Sequence, residues 1–337
     1  MNEKRGEIKK ALCGINYGGG ALMFKSKKST KIFFSKDEFL KIMKGNWQLY
    51  LLLLPGLLYL IIFNYGPMLG LQIAFKDYSA SKGIFGSVWA DPWYKHFKRF
   101  LTYPDTWKMI KNTLSLTLLA LAMFPFPVIF ALLLNELRNI RFKKSVQMLT
   151  YMPHFLSEVV VCSIIILFLD TEAGPLTNLI VALGGERQNL LSNPAAFKWV
   201  YVLSGLWQSI GWDSILYISA LSSVSMELVE AAKIDGANRF QIMWHIYIPG
   251  ILPTIIICFL MQVGRLMTVG YSKIFLLQNS LNMESSNVLS LYVYNIGLMG
   301  GQYSYSTAIG LFNNLVNIFV LVVVNKFTKR VTDTSLF

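Results

Sequence analysis

Apolar residues along this chain are gathered into six long runs separated by polar and charged stretches. The runs cover approximately residues 49–74, 113–134, 149–169, 199–221, 251–269 and 307–324. Each is close to the roughly 20 residues that an α-helix needs to cross a bilayer. The first is interrupted by Pro55-Gly56 and by Asn64-Tyr65-Gly66-Pro67, and the second contains Pro125 and Pro127. The pattern predicts an all-α, polytopic membrane protein with about six transmembrane helices. Residues 46–330 form the membrane domain, preceded by a basic segment at 1–45 and followed by a short tail at 331–337.

Composition agrees with this reading. Hydrophobic residues make up 54% of the 337 positions and charged residues only 15%, against about 25% in ordinary soluble domains. Too little polar surface remains to cover a water-facing exterior. The net charge is +13, and the basic residues sit between the apolar runs. With the N-terminus inside, the segments 1–48, 135–148, 222–250 and 325–337 hold twenty Lys and Arg, and the opposite segments hold ten. That bias places both termini in the cytoplasm. Nucleic-acid binding is disfavoured, because no basic stripe alternates with stacking aromatics on a soluble module. The lysine-rich start is too long for a signal peptide, and no small-residue cleavage site follows it.

The loops carry further expectations. Residues 75–112 contain Asp77, Gly83, Gly86, Asp91-Pro92 and Pro104-Asp105 among Trp89, Trp93, Tyr94, Phe97 and Phe100. They read as an ordered external loop at headgroup level or as a docking surface. Cys13, Cys162 and Cys258 lack ligand or disulfide spacing and read as packing residues. His96, His154 and His245 have no metal-ligand neighbours, so neither a catalytic group nor a metal site is expected. His154 is expected near the cytoplasmic end of the third span, and His245 under the loop helix described next. No phosphate-binding loop is present, and no internal repeat.

The most informative segment is the inner loop at about 222–250. Ser225 stands where it can cap a helix, with Glu227 in the favourable first turn. Ala231 and Ala232 are strong helix formers that permit close approach of another surface. Asp235-Gly236 supplies a turn. Phe240, Met243, Trp244 and Tyr247 then recur at helical spacing as one apolar face, and Pro249 is expected to stop that helix before the fifth span.

Glu230, Ala231, Ala232, Gly236, Ile246 and Pro249 match, at the same spacing, the signature of permease subunits of binding-protein-dependent ABC importers. Ile248 stands where leucine is usual. Asp235 and Ala237 resemble the Asp-Gly-Ala variant found in sugar and oligosaccharide permeases. Leu53-Leu54-Pro55-Gly56, the stretch from Gln72 to Tyr78, the stretch from Pro153 to Ser157 and the stretch from Ile274 to Asn279 resemble the maltose-transporter-like, complex-oligosaccharide branch over about residues 45–330. The resemblance implies a type I ABC importer permease fold in a bacterial cell membrane. It implies a second homologous permease, a dimeric cytoplasmic ATPase that binds ATP and Mg, and an extracellular solute-binding protein that delivers the oligosaccharide. Glu230, Ala231, Ala232, Asp235, Gly236, Ala237, Phe240, Ile246 and Pro249 would then form the coupling element seated on the ATPase. No cofactor is expected in this chain, and it is not expected to be an enzyme.

Polar groups within spans are expensive and default to the bundle interior or to a water-filled path. Trp207, Gln208 and Asp213 in the fourth span, Gln262 and Arg265 in the fifth, and Asn313 and Asn317 in the sixth suit a saccharide path. Inter-helix hydrogen bonding is the competing reading, including an Asp213–Arg265 pair. The same machinery importing a non-sugar solute is the nearest alternative function. An ion-coupled secondary transporter is the next, although the inverted repeats of such folds are missing.

Overall fold

The computed structural model describes residues 45–332. The basic N-terminal segment, Cys13 and the end of the tail lie outside the described residues. The chain divides after Tyr65 into two units. The first, as described, is helix α1 (Trp47–Tyr59), whose winding loosens to a π-helix over Leu60–Tyr65. Pro55 lies inside α1 without ending it. The helix continues to Phe75 as one 29-residue candidate span. The expected interruptions are therefore changes of winding, π and then 3-10 over Leu69–Phe75.

In the second unit the 3-10 turn at Leu69–Phe75 leads into a two-stranded antiparallel ribbon, β1 (Lys76–Asp77) and β2 (Val88–Trp89), in which Lys76 pairs with Trp89. Helices α2 (Lys95–Thr102), α3 (Thr106–Ala122) and α4 (Pro125–Asn135) follow, the last two forming one candidate span. The loop at 75–112 is ordered around Asp77, which accepts from Lys95 Nζ at 2.9 Å. His96 Nε2 lies 3.1 Å from the Lys76 carbonyl. Tyr78 N donates to Ser304 Oγ at 2.9 Å, and the Arg99 guanidinium covers the Tyr305 ring at 4.3 Å. The loop is thereby fastened to the start of the final helix.

The third span departs from the expected straight helix. Helix α5 (Ile140–Tyr151) passes into a 3-10 turn at Met152–Phe155, and α6 (Glu158–Phe168) leaves at 104° to it. Pro153 and the Ser157 cap, whose Oγ accepts from Val160 N at 3.3 Å, make the break. His154 sits at this corner, stacked on Trp212 with ring centroids 4.4 Å apart. Asn193 caps the 28-residue α7 (Pro194–Leu221). Among the described residues, four helices are long and apolar enough to cross a membrane, and six spans result if each of two bent pairs is one.

The fifth span also differs. Helix α8 (Met226–Ile234) turns 80° away from α7. Helix α9 (Arg239–Ile242) then runs through a π-helix at Met243–Tyr247 into α10 (Ile248–Val263). Pro249 does not stop this helix. A proline ring collides with the carbonyl four residues back in a regular α-helix, and the wider π turn beside it relieves that crowding. Beyond α10 come α11 (Tyr271–Leu277), α12 (Leu289–Tyr294) and the 30-residue α13 (Tyr303–Thr332).

Side-chain amides hold the irregular stretch between α10 and α13. Asn282 Nδ2 donates to the carbonyls of Leu191 and Leu277, and its Oδ1 accepts from Asn279 N. Asn112 Nδ2, on α3, donates to the carbonyls of Glu284 and Asn287. Free Cys162 and Cys258 pack in apolar clusters. Helix α7 meets α5 where Gly211 faces the Thr150 carbonyl and the Tyr151 ring, and a Cβ there would collide with both. Gly211→Leu is expected to lower stability by about 1–3 kcal/mol or more through overpacking, read as a lower thermal midpoint of the detergent-solubilised subunit.

Candidate functional site

The inner loop is a helix, a turn and a helix. Ser225 occupies the N-cap of α8 but makes no side-chain capping bond, and Glu227 lies in the first turn. Gly236 adopts φ +82°, which a side chain disfavours, while open space surrounds its Cα. The conformation, not a contact, requires glycine there. Asn238 and Gln241 close a reciprocal capping box: Gln241 N donates to Asn238 Oδ1 at 2.9 Å, and Asn238 N to Gln241 Oε1 at 2.7 Å. Reading the sequence missed this box, although Asn followed three residues later by Gln is its signature.

One side of the loop is anchored. Val229 and Ile242 are buried in a cluster with Ala131, Leu132, Leu221 and Ile251 of α4, α7 and α10. Arg239 Nε approaches Glu136 at 3.9 Å. The opposite side is open: Glu230, Ala231, Asp235 and Gly236 are exposed, and Ala232, Ala237 and Ile246 are half-buried. Asp235, Gly236, Ala237, Ile246 and His245 line a groove of about 340 Å³. His245 therefore lies beside α8 rather than beneath it, its Nδ1 3.0 Å from the Gln241 carbonyl. The expected single apolar face is split. Phe240 is 77% exposed and Trp244 70%, while Tyr247 is buried together with Ile242. The π turn rotates the later side chains relative to the earlier ones. Pro249 is exposed at the start of α10.

A second feature is a cavity of about 280 Å³ among α3, α4, α7, α10 and α11, lined by Gln208, Ser209, Asp213, Gln262 and Lys273 together with Tyr201 and Phe124. It gathers Gln208, Asp213 and Gln262 from the expected path. Trp207 and Arg265 do not line it. Among the described residues Arg265 makes no ion pair with Asp213. Ser209 and His154 face Asp213 instead. Asn317 accepts from Met267 N at 2.8 Å and donates to Thr268 Oγ1 at 2.9 Å, sealing the unwound chain after α10. Asn313 Oδ1 is buried without a hydrogen-bond partner.

Lys273 joins this cavity from outside the spans, and reading the sequence passed it over. Its ammonium lies 5.2 Å from the Tyr201 ring centroid and donates to the Tyr201 carbonyl at 3.4 Å. Burial pushes its pKa from 10.5 down to about 8, while Cys162 and Glu158 pull the other way.

With this geometry in place, comparison with known proteins decides the family. A model of the binding-protein-dependent transport system inner membrane component matches residues 108–333. The chain belongs to this family. The permease is thus an integral inner-membrane transport component rather than an enzyme. It is 40% identical over 318 residues to the polygalacturonan/rhamnogalacturonan transport system permease protein YteP of Bacillus subtilis (strain 168), covering 94% of this chain and 96% of that one. Protein LplB of the same organism is 42% identical over 295 residues, covering 87% and 92%. A chain in the crystal structure of a bacterial alginate ABC transporter, in complex with an alginate pentasaccharide-bound periplasmic protein, superposes with a TM-score of 0.79. It is 35% identical, over 88% of this chain and 99% of that one.

The capping box generates a direct test. Asn238→Ala is expected to cost about 1 kcal/mol and to speed hydrogen exchange at the backbone amides of residues 239–241, with little change in α7.

Proposed function

We propose that the permease imports an oligosaccharide across a bacterial cell membrane, driven by a separate ATPase that presses on the inner loop. The observation that carries this reading is the arrangement of α8. It is a short helix turned 80° from the span before it, backed by the buried Val229 and Ile242, with Glu230, Ala231 and Gly236 facing outward. A rigid element with one anchored side and one open side transmits a push into the ends of α4, α7 and α10. Coupling of this kind requires an element with two arrangements, biased from both ends.

In this reading Glu230, Ala231, Ala232, Asp235, Gly236 and Ala237 seat against one subunit of a dimeric cytoplasmic ATPase. Exposed Phe240, half-buried Ile246 and Pro249 carry the motion into the fifth span. ATP and Mg belong to that partner. A second, homologous permease completes the pore, and an extracellular solute-binding protein delivers the sugar. In this reading both chain termini lie in the cytoplasm, a placement supported by the twofold excess of basic residues in the segments assigned to that side. Oligosaccharide cargo is supported by the relatives, whose names concern polygalacturonan, rhamnogalacturonan and alginate. Within the bundle, Gln208 and Gln262 offer amides to sugar hydroxyls, with Asp213 as an acceptor. Trp207, Arg265, Asn313 and Asn317 serve the path from outside this cavity or support its walls.

Gly236→Val is expected to lower uptake at least tenfold while the amount of permease in the membrane is unchanged. The cause is the left-handed conformation, which costs a β-carbon about 1–2 kcal/mol and so shifts the turn against the ATPase. Undiminished transport in this variant counts against the docking role. Modification of an Ala231→Cys thiol by an impermeant reagent from outside intact cells overturns the orientation.

A further inference from the structure

We propose that Lys273 is a carboxylate-binding residue of the cavity beside α7, and that the sugar chain it receives carries uronate groups. The inference rests on the import reading above and adds the charge of the cargo to it.

Lys273 is only 6% exposed. Its side chain leaves the short helix α11 and ends against α7, where a Cβ at Gly205 would stand 3.7 Å from Nζ. An ammonium has three donors, and this one spends a long bond on the Tyr201 carbonyl and turns one side to the Tyr201 ring. Among the described residues it makes no ion pair. The titratable groups facing it are Glu158 and Cys162 of α6 and Tyr201 of α7. A buried, under-coordinated cation is costly by itself. An anion arriving in the same low-dielectric space offsets that cost with a charge-assisted hydrogen bond.

The rest of the wall fits a hydroxylated anion. Gln208 and Ser209 follow Gly205 along α7, and Gln262 enters from α10. Together they offer amide and hydroxyl groups to ring hydroxyls. Asp213 lies eight residues beyond Gly205, or about 12 Å along the helix. It repels a carboxylate and so favours the Lys273 end for the acidic group. The cavity is therefore polarised along its length, positive toward the residue-201 end of α7 and acidic toward the residue-213 end.

The test uses the complete transporter in proteoliposomes with its ATPase and binding protein, and compares trigalacturonate with neutral maltotriose. In the wild type, millimolar trigalacturonate is expected to slow acetylation of the Lys273 amine at least threefold by mass spectrometry, and maltotriose to leave it unchanged. Equal labelling with both sugars overturns the proposal, and this measurement needs no variant. Lys273→Met is expected to lower trigalacturonate uptake at least tenfold, and Lys273→Arg to keep it within about threefold of wild type. Equal uptake by the two variants, whether both lose it or both keep it, also overturns it. Wild-type uptake of maltotriose without trigalacturonate removes the acidic cargo and leaves oligosaccharide import standing. Uptake of neither sugar removes the import reading itself.

Discussion

Within a bilayer core there is no water to satisfy a peptide group, so every backbone N–H and C=O must find its partner inside the protein. Long helices satisfy this automatically, and the chain uses them wherever it can. Where it needs a bend, a side chain supplies the missing bond. Ser157 caps α6 at the 104° corner of the third span. Asn317 accepts from Met267 N where the chain unwinds after α10. Asn282 and Asn112 hold the carbonyls of the segment between α10 and α13. Other polar residues of the bundle, Gln208, Asp213 and Gln262 among them, line a cavity instead.

That division bears on the lever role proposed for the loop at 222–250. Its backbone is closed by its own capping box and by the Gly236 turn, so it keeps its shape without help from the membrane. Its apolar side is packed into the ends of three spans through Val229 and Ile242. The π turn at Met243–Tyr247 carries the helix past Pro249 without a stop. In the proposed coupling, a displacement of the loop reaches the fifth span through the unbroken helix from Arg239 to Val263, and reaches α4 through Ala131 and Leu132.

The same constraint governs how much was legible beforehand. Six apolar runs, the positive-inside bias and the spacing from Glu230 to Pro249 are one-dimensional properties, and they foretold the spans, the family and the helix–turn–helix of the loop. Pro249 misled, because a proline reads as a stop unless the neighbouring turn widens, and periodicity carries no sign of a π-helix. The apolar face assigned to Phe240, Met243, Trp244 and Tyr247 failed for that same reason. Asn313 and Asn317 share a face by spacing, but only packing revealed that Asn317 is spent on the backbone of Met267.

By itself the sequence determined the solvent of this protein and the helix–turn–helix of the loop at 222–250, since hydropathy and turn chemistry act locally. Which polar residues meet was decided by the tertiary structure alone. Gln208, Asp213 and Gln262 are brought to one cavity, Trp207 and Arg265 are not, and Lys273 arrives there from a short helix between spans. The physical reason is that a charge's neighbours depend on how helices cross. Gly211 sets the crossing of α5 and α7 by what it leaves out, and a missing side chain has no period to read.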